Sequence, residues 1–373
     1  MRIAAVTAVL LATALAGPAL AQPANPVPQQ LAAKPAKGKD ALLDAARQGD
    51  PEAQVQLGRA YLLGKGVKGI RKDPAEATVW LSLATAWGRA DAAAELARAH
   101  EKGIGVKKDA VEAARWWFRA GKLGDEAARE RFLEMFLAGE TDGVGGTEAA
   151  EWLTARALAG DDKAILGLAS MYEQGRGIPA DADEARRWYL RLALDGHAEA
   201  RYRLGRMLLA APSLWRAPED EVKDGQWTGP VWYATEPKTD SHTYLGRPGM
   251  VAGERWLRAA ARQGHAEALY LLASARLGGI DLPFDLTEAV TELEAAAQKG
   301  HAGALAAIAE LANRGQGYYG KDPVRAWVSY DLAAELGRKD AELSRDLLAK
   351  TMSARQLARA RQLAQDLRDI RGM

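Results

Sequence analysis

Small and large apolar residues recur along this chain at a fixed phase. Gly49, Gly88, Gly124, Gly160, Gly196, Gly264, Gly300 and Gly337 are each followed four residues later by an alanine. Four residues beyond that alanine, seven of the eight carry a large apolar side chain: Leu57, Leu96, Phe132, Leu168, Leu204, Leu272 and Ile308. The eighth places Arg345 there. Alanine and leucine four apart share one helix face, so each start predicts a helix, here called A. The next position is mostly small (Gly58, Ala97, Ala169, Gly205, Ala273, Ala309), which lets a second helix come close. Gly64, Gly103, Gly139, Gly175, Gly279 and Gly315 then mark a turn, four of them as the first residue of Gly-x-Gly. Glycine there ends a helix in the left-handed conformation.

A second helix, B, follows each turn. Asp73, Asp109, Asp181 and Asp285 are followed three residues later by Glu76, Glu112, Glu184 and Glu288, the spacing of a capping box. Asp322 keeps the cap without the glutamate. Helix B carries Trp80, Trp116, Trp152, Trp188 and Trp256, each eight residues before the next opening glycine. The position after each is large and apolar: Leu81, Trp117, Leu153, Tyr189 and Leu257, with Leu293 and Tyr330 in the later units. An aromatic at fixed phase in a repeat predicts packing between units, not a cofactor box. The sixth and seventh units have Glu292 and Ser329 in place of the tryptophan, and the third has "GETDGVGG" without the usual cap.

The opening glycines are mostly 36 residues apart, but Gly196 and Gly264 are separated by 68. The fifth unit therefore holds an insertion of about 32 residues between its helices, roughly 212–247. After Gly337 the pattern changes to two helices, the second with Ser353 and Gln356 in capping-box spacing and a stripe of Leu357, Ala360, Leu363, Ala364 and Leu367. This tail predicts a terminal cap over the last unit.

Helix–turn–helix units of about 36 residues cannot bury their faces alone and must stack. "AQVQLGRAYLLGKGVKGIRKDPAEATVWLSLATAWG" and "AILGLASMYEQGRGIPADADEARRWYLRLALDG" resemble the Sel1-like repeat, a relative of the tetratricopeptide repeat. The resemblance implies an all-α, right-handed superhelical solenoid of about seven repeats with a C-terminal helical cap. It also implies an elongated, curved array and protein–protein binding as a scaffold or adaptor. The expected organisation is a signal peptide over 1–21, a Pro/Ala/Lys-rich linker over 22–39, the array over 40–338 and the cap over 339–373.

Composition narrows the function. A chain of 373 residues needs a repeat array or several domains. Fifty basic against 49 acidic side chains give no basic excess for nucleic acid. "MRIAAVTAVLLATALAGPALAQ" has one arginine, an apolar run and a small-residue Ala19-Leu20-Ala21 site, which predicts export with cleavage after Ala21 and a periplasmic location. No segment is long and apolar enough for a transmembrane anchor. With no cysteine the chain has no disulfides, no thiol ligands and no lipid anchor at that site.

No nucleophile elbow, zinc-protease helix or phosphate loop is present. No catalytic residue, metal ligand or cofactor is expected, so the chain is read as a non-enzyme. His197, His265 and His301 follow opening glycines and read as repeat positions. Two places remain for partner binding. One is the polar row of helix A, including Arg59, Arg98, Arg203 and Arg206, which is either a peptide-pairing groove or a solvated face. The other is the insertion, with Trp215, Trp227, Trp232, Tyr233 and Tyr244 beside acidic residues, either packed back as an Ω-loop or presented to a partner. The leading expectation is a non-catalytic adaptor with protein partners in the bacterial envelope. The alternative is an envelope protein that binds cell-wall glycan or exopolysaccharide through the insertion, with or without hydrolysis.

Overall fold

The computed structural model describes residues 38–214, 248–279, 282, 284–317 and 320–371. The described residues form seventeen α-helices and no strands. They are α1 (Lys39–Arg47), α2 (Pro51–Leu63), α3 (Pro74–Ala86), α4 (Ala90–Lys102), α5 (Ala110–Lys122), α6 (Glu126–Ala138), α7 (Gly146–Leu158), α8 (Asp162–Gln174) and α9 (Ala182–Leu194). There follow α10 (Ala198–Ala210), α11 (Pro248–Arg262), α12 (Ala266–Gly278), α13 (Leu286–Gln298), α14 (Ala302–Arg314), α15 (Pro323–Glu335), α16 (Lys339–Ala349) and α17 (Ala354–Arg371). Contacts divide the chain into two compact units, 1–129 and 130–373, with the division inside α6.

In the first unit α2 packs on α3 and α4 on α5, with α1 laid on α2 through Leu42 and Ala46. In the second, α8/α9, α10/α11, α12/α13 and α14/α15 pack in the same way, and α16 and α17 both pack on α15. The helix-A alanines and leucines are the core. Ala92, Leu96, Leu168, Ala200, Ala268 and Leu272 are essentially inaccessible. The small position after the leucine faces helix B: a Cβ on Gly205 would stand 2.7 Å from Leu257 Cγ. Helix A ends as expected, with Gly64 left-handed at φ 67°, where a side chain would also strike Lys72.

Helix B departs from expectation in one register. Leu81, Tyr189, Leu257 and Leu293 are fully buried, and Trp117 is nearly so. Of the tryptophans one position earlier, only Trp256 is fully buried; Trp80, Trp116, Trp152 and Trp188 are half-exposed. A step of one residue turns the side chain by about 100°. The later position therefore points at helix A, and the tryptophan lies on the shoulder. Trp116 packs against Leu81 and Ala84 of the preceding pair and Leu96 of its own, so the tryptophans are packing residues at the joint rather than the centre of the core.

The capping boxes are half formed. Asp109 accepts from the Glu112 N–H, Asp181 from Glu184 and Asp285 from Glu288. At Asp73, Asp109 and Asp181 the glutamates do not return the bond, because the backbone N–H already donates to the carbonyls of Tyr61, His100 and Tyr172 of helix A, each at 2.9 Å. Glu76 instead accepts from Trp80 Nε1 at 3.0 Å, and Glu184 pairs with Arg187. Only the tail closes the full box: Ser353 N–H donates to Gln356, and Gln356 N–H to Ser353 Oγ. The third turn has no side-chain cap; Gly145 opens α7 at φ 67°.

The repeated "GHAEA" receives a role the sequence reading missed. His197, His265 and His301 are the N-caps of α10, α12 and α14, with Nδ1 accepting from Ala200, Ala268 and Ala304 at 3.4, 3.2 and 3.0 Å. His265 and His301 also stack on Tyr202 and Tyr270 at 4.7 and 4.3 Å, joining adjacent repeats.

In the fifth unit α10 runs into a short 3-10 turn, Pro212–Leu214, and helix B begins only at Pro248. The two strands of chain meet: a Cβ on Gly249 would stand 2.1 Å from the Pro212 carbonyl oxygen. Residues 215–247, with Trp215, Trp227, Trp232, Tyr233 and Tyr244, lie outside the described residues, as do the expected signal peptide and most of the linker.

Candidate functional site

The polar row of helix A is a set of closed ion pairs. In the first unit Arg59 on α2 reaches Glu95 at 3.1 Å and Asp91 at 3.4 Å on α4. Arg98 pairs with Glu95 at 3.3 Å and lies over the Trp117 ring. Arg89 holds Asp91 at 2.8 Å and Glu52 at 2.6 Å, keeping both carboxyls below their usual range. Three carboxylates meet three guanidiniums.

In the second unit the row runs through three helices A. Glu173 on α8 accepts from the Tyr189 hydroxyl at 2.7 Å and pairs with Arg206 of α10. Arg203 pairs with Glu199 at 2.5 Å, and Glu199 faces His265 Nε2 of α12 at 2.8 Å. The His265 and Arg203 hydrogen bonds hold the Glu199 carboxyl down at about 2. Burial, with the bond to Glu173 behind it, keeps the Tyr189 phenol above its ordinary value. Arg203 and Arg206 both lie over the Tyr202 ring. The four predicted arginines are thus brought into two networks along helix A. They are half-exposed side chains that already hold carboxylates: Arg59 on the next repeat, Arg206 on the preceding one, and Arg98 and Arg203 within their own helices.

Two further features escaped the sequence reading. Arg276 of α12 is buried against Glu254 at 3.0 Å, Glu288 at 3.0 Å and Glu292 at 3.1 Å, with Arg258 beside Glu254 and Glu288. Glu292, at the tryptophan position of α13, is therefore a buried partner of Arg276; the lost tryptophan was the signal in the sequence. The second is a groove of about 650 Å³ in the second unit, between α13, α15 and α17, with Ser329 among its lining residues. Among the described residues no cluster of His, Asp and Glu is arranged to hold a metal, and no helix is long and apolar enough to cross a membrane.

Paired helices with left-handed glycine turns, aspartate or histidine caps and a buried Ala/Leu seam define an all-α array of two-helix repeats. The Sel1 repeat family model matches residues 51–86, 90–125, 162–197, 250–265 and 266–301, and these five segments are Sel1 repeats. Sel1-repeat proteins are generally protein–protein interaction scaffolds. Among solved structures the chain is similar to a Sel1 repeat protein from Oxalobacter formigenes, at 26% identity over 83% of this chain and 79% of that chain, with a TM-score of 0.46. It is also similar to a protective antigen of uropathogenic Escherichia coli that displays an SLR fold, at 24% identity over 88% of this chain and 79% of that one, with a TM-score of 0.30. No curated protein matches it.

Proposed function

We propose that this chain is an exported, non-catalytic adaptor of the bacterial cell envelope that holds protein partners against its repeats. The observation that carries the reading is the closure of the helix-A charges. Glu173 and Glu199 are balanced by Arg203 and Arg206 as Glu52, Asp91 and Glu95 are by Arg59, Arg89 and Arg98. A face neutralised pair by pair offers a partner shape and register, with rim charges that steer association. General acid–base work needs a poised proton instead. Export is supported by the leader-like first 21 residues, and the aromatic segment 215–247 supplies a second, individual contact surface.

The test is made in a Gram-negative host producing the full chain. Terminal sequencing is expected to find Gln22 first, in the periplasmic fraction; retention of Met1 there would remove the export reading. Crosslinking in intact cells is expected to trap discrete protein partners through helix-A positions or the insertion. Sedimentation with purified peptidoglycan, combined with no protein crosslinks, would replace the adaptor with a glycan binder.

A further inference from the structure

Five repeats place a tryptophan at one phase of helix B, and its job is visible in the first unit. Trp116 leans back over Leu81 and Ala84 of the preceding helix B and Leu96 of the intervening helix A. In α15 the same phase holds Ser329. The residues matching Leu81, Ala84 and Leu96 are Leu293, Ala296 and Ile308; of these Ile308 lines the groove of about 650 Å³, together with Ala297 and Ser329 itself. Such a volume falls in the range of small ligand pockets, about 300–1,000 Å³. Leu305, Val324, Val328 and Leu332 complete the apolar lining.

The other wall is α17. Ala360 and Ala364 are the residues it buries, while Leu363 stays 41% exposed and contributes to the groove with Leu367. The expected stripe therefore caps the array with its alanines and leaves leucine facing the opening. Charge on the rim is one-sided. Glu294 is neutralised by Arg325 at 2.8 Å, and Asp322 is occupied as the N-cap of α15. Arg359, and Arg355 one turn before it, make no ion pair with the described residues. Most of the lining, from Leu305 to Leu367, also lies beyond residue 301, where the matched repeat segments end.

We propose that this groove docks an acidic peptide segment bearing a large aromatic side chain, the ring entering beside Ser329 and a carboxylate meeting Arg359. The proposal rests on the adaptor reading for the existence of a protein partner and adds that partner's chemistry. The ring supplies what the tryptophan supplies in the other repeats, and aromatic side chains bury about 150–250 Å² each. The unpaired guanidinium selects acidic flanks over basic ones.

The experiment uses the purified full chain and a fluorescein-labelled acidic peptide with one tryptophan between glutamates, read by anisotropy. It is independent of cellular location and partner identity, so crosslinking in cells can fail while this binding succeeds, and the reverse. Ser329→Trp places the chain's own ring in the groove. It is expected to keep its helicity and melting temperature and to weaken binding about tenfold or more, as loss of a central anchor does. Leu363→Glu, at an exposed position, should do the same if Ser329→Trp fails to fold. Arg359→Glu should weaken binding about threefold or more and flatten its salt dependence. Undiminished binding by folded Ser329→Trp, or equal binding of a peptide with alanine for tryptophan, overturns the proposal. So does a wild-type dimer in sedimentation that Ser329→Trp converts to monomer, because the groove would then hold a second copy of the chain.

Discussion

His301 shows how much one side chain can link. Its Nδ1 accepts from the Ala304 N–H, so that nitrogen must be unprotonated and the neutral ring carries its proton on Nε2. Burial lowers its pKa, with Arg338 adding to the effect and Glu267 opposing it. A histidine depressed in the folded state leaves stability intact above the ordinary value of about 6.5 and loses it as pH falls through that range. His301→Asp keeps the cap without the titration, so its melting temperature should fall less than wild type between about pH 7 and pH 5. Equal slopes in calorimetry would show that the cap does not titrate. Glu292 works in the opposite sense. Burial pushes its carboxyl up to about 7, helped by Glu288 and Glu254 and opposed by Arg276 and Arg258. Its raised value costs stability as pH rises from the ordinary carboxylate range through about 7. Glu292→Gln should therefore gain on wild type from about pH 5 to pH 8. Arg276→Met, which strands Glu254 and Glu292 in the interior, should cost roughly 3–5 kcal/mol by denaturant titration. The sequence displayed the missing tryptophan at Glu292 but not its reason, because the partner on another helix is a tertiary fact.

At the level of the helix pair, local signals carried the reading well. The left-handed Gly64 and the Asp109, Asp181 and Asp285 caps are short-range chemistry and were legible in the spacing. The glutamate half of the capping box was not, because the competing acceptor belongs to the helix before the turn. Nor was the one-residue register of helix B, which depends on where helix A stands. That register makes a quantitative prediction. Trp188 is half-exposed and Tyr189 fully buried. Trp188→Ala should cost about 1–2 kcal/mol, whereas Tyr189→Ala should cost about 3–5 kcal/mol and release Glu173 as well. Paired denaturation curves decide it; a larger loss at Trp188 would reverse the assigned faces.

For the molecule as a whole, the sequence established the succession of stacked helix pairs and located the interruption, since periodicity survives any amount of inserted chain. It could not show the groove beside Ser329, which needs α17 as its far wall, nor that Arg59 is paired by the next repeat and Arg206 by the preceding one. The interruption closes on itself, with Pro212 against Gly249. Replacing 215–247 by a short Gly-Ser linker should leave melting within about 2 °C of wild type, since loop length changes stability only slowly. A collapse of helical content would mean that the segment is needed to build the fifth pair. The same contact has a meaning over evolutionary time. Because the chain leaves and re-enters the array at one point, its register on either side does not depend on what lies between. Lineages are free there to lengthen, shorten or exchange the segment, even for a whole folded domain whose termini lie close together, while the repeats on both sides keep their inheritance.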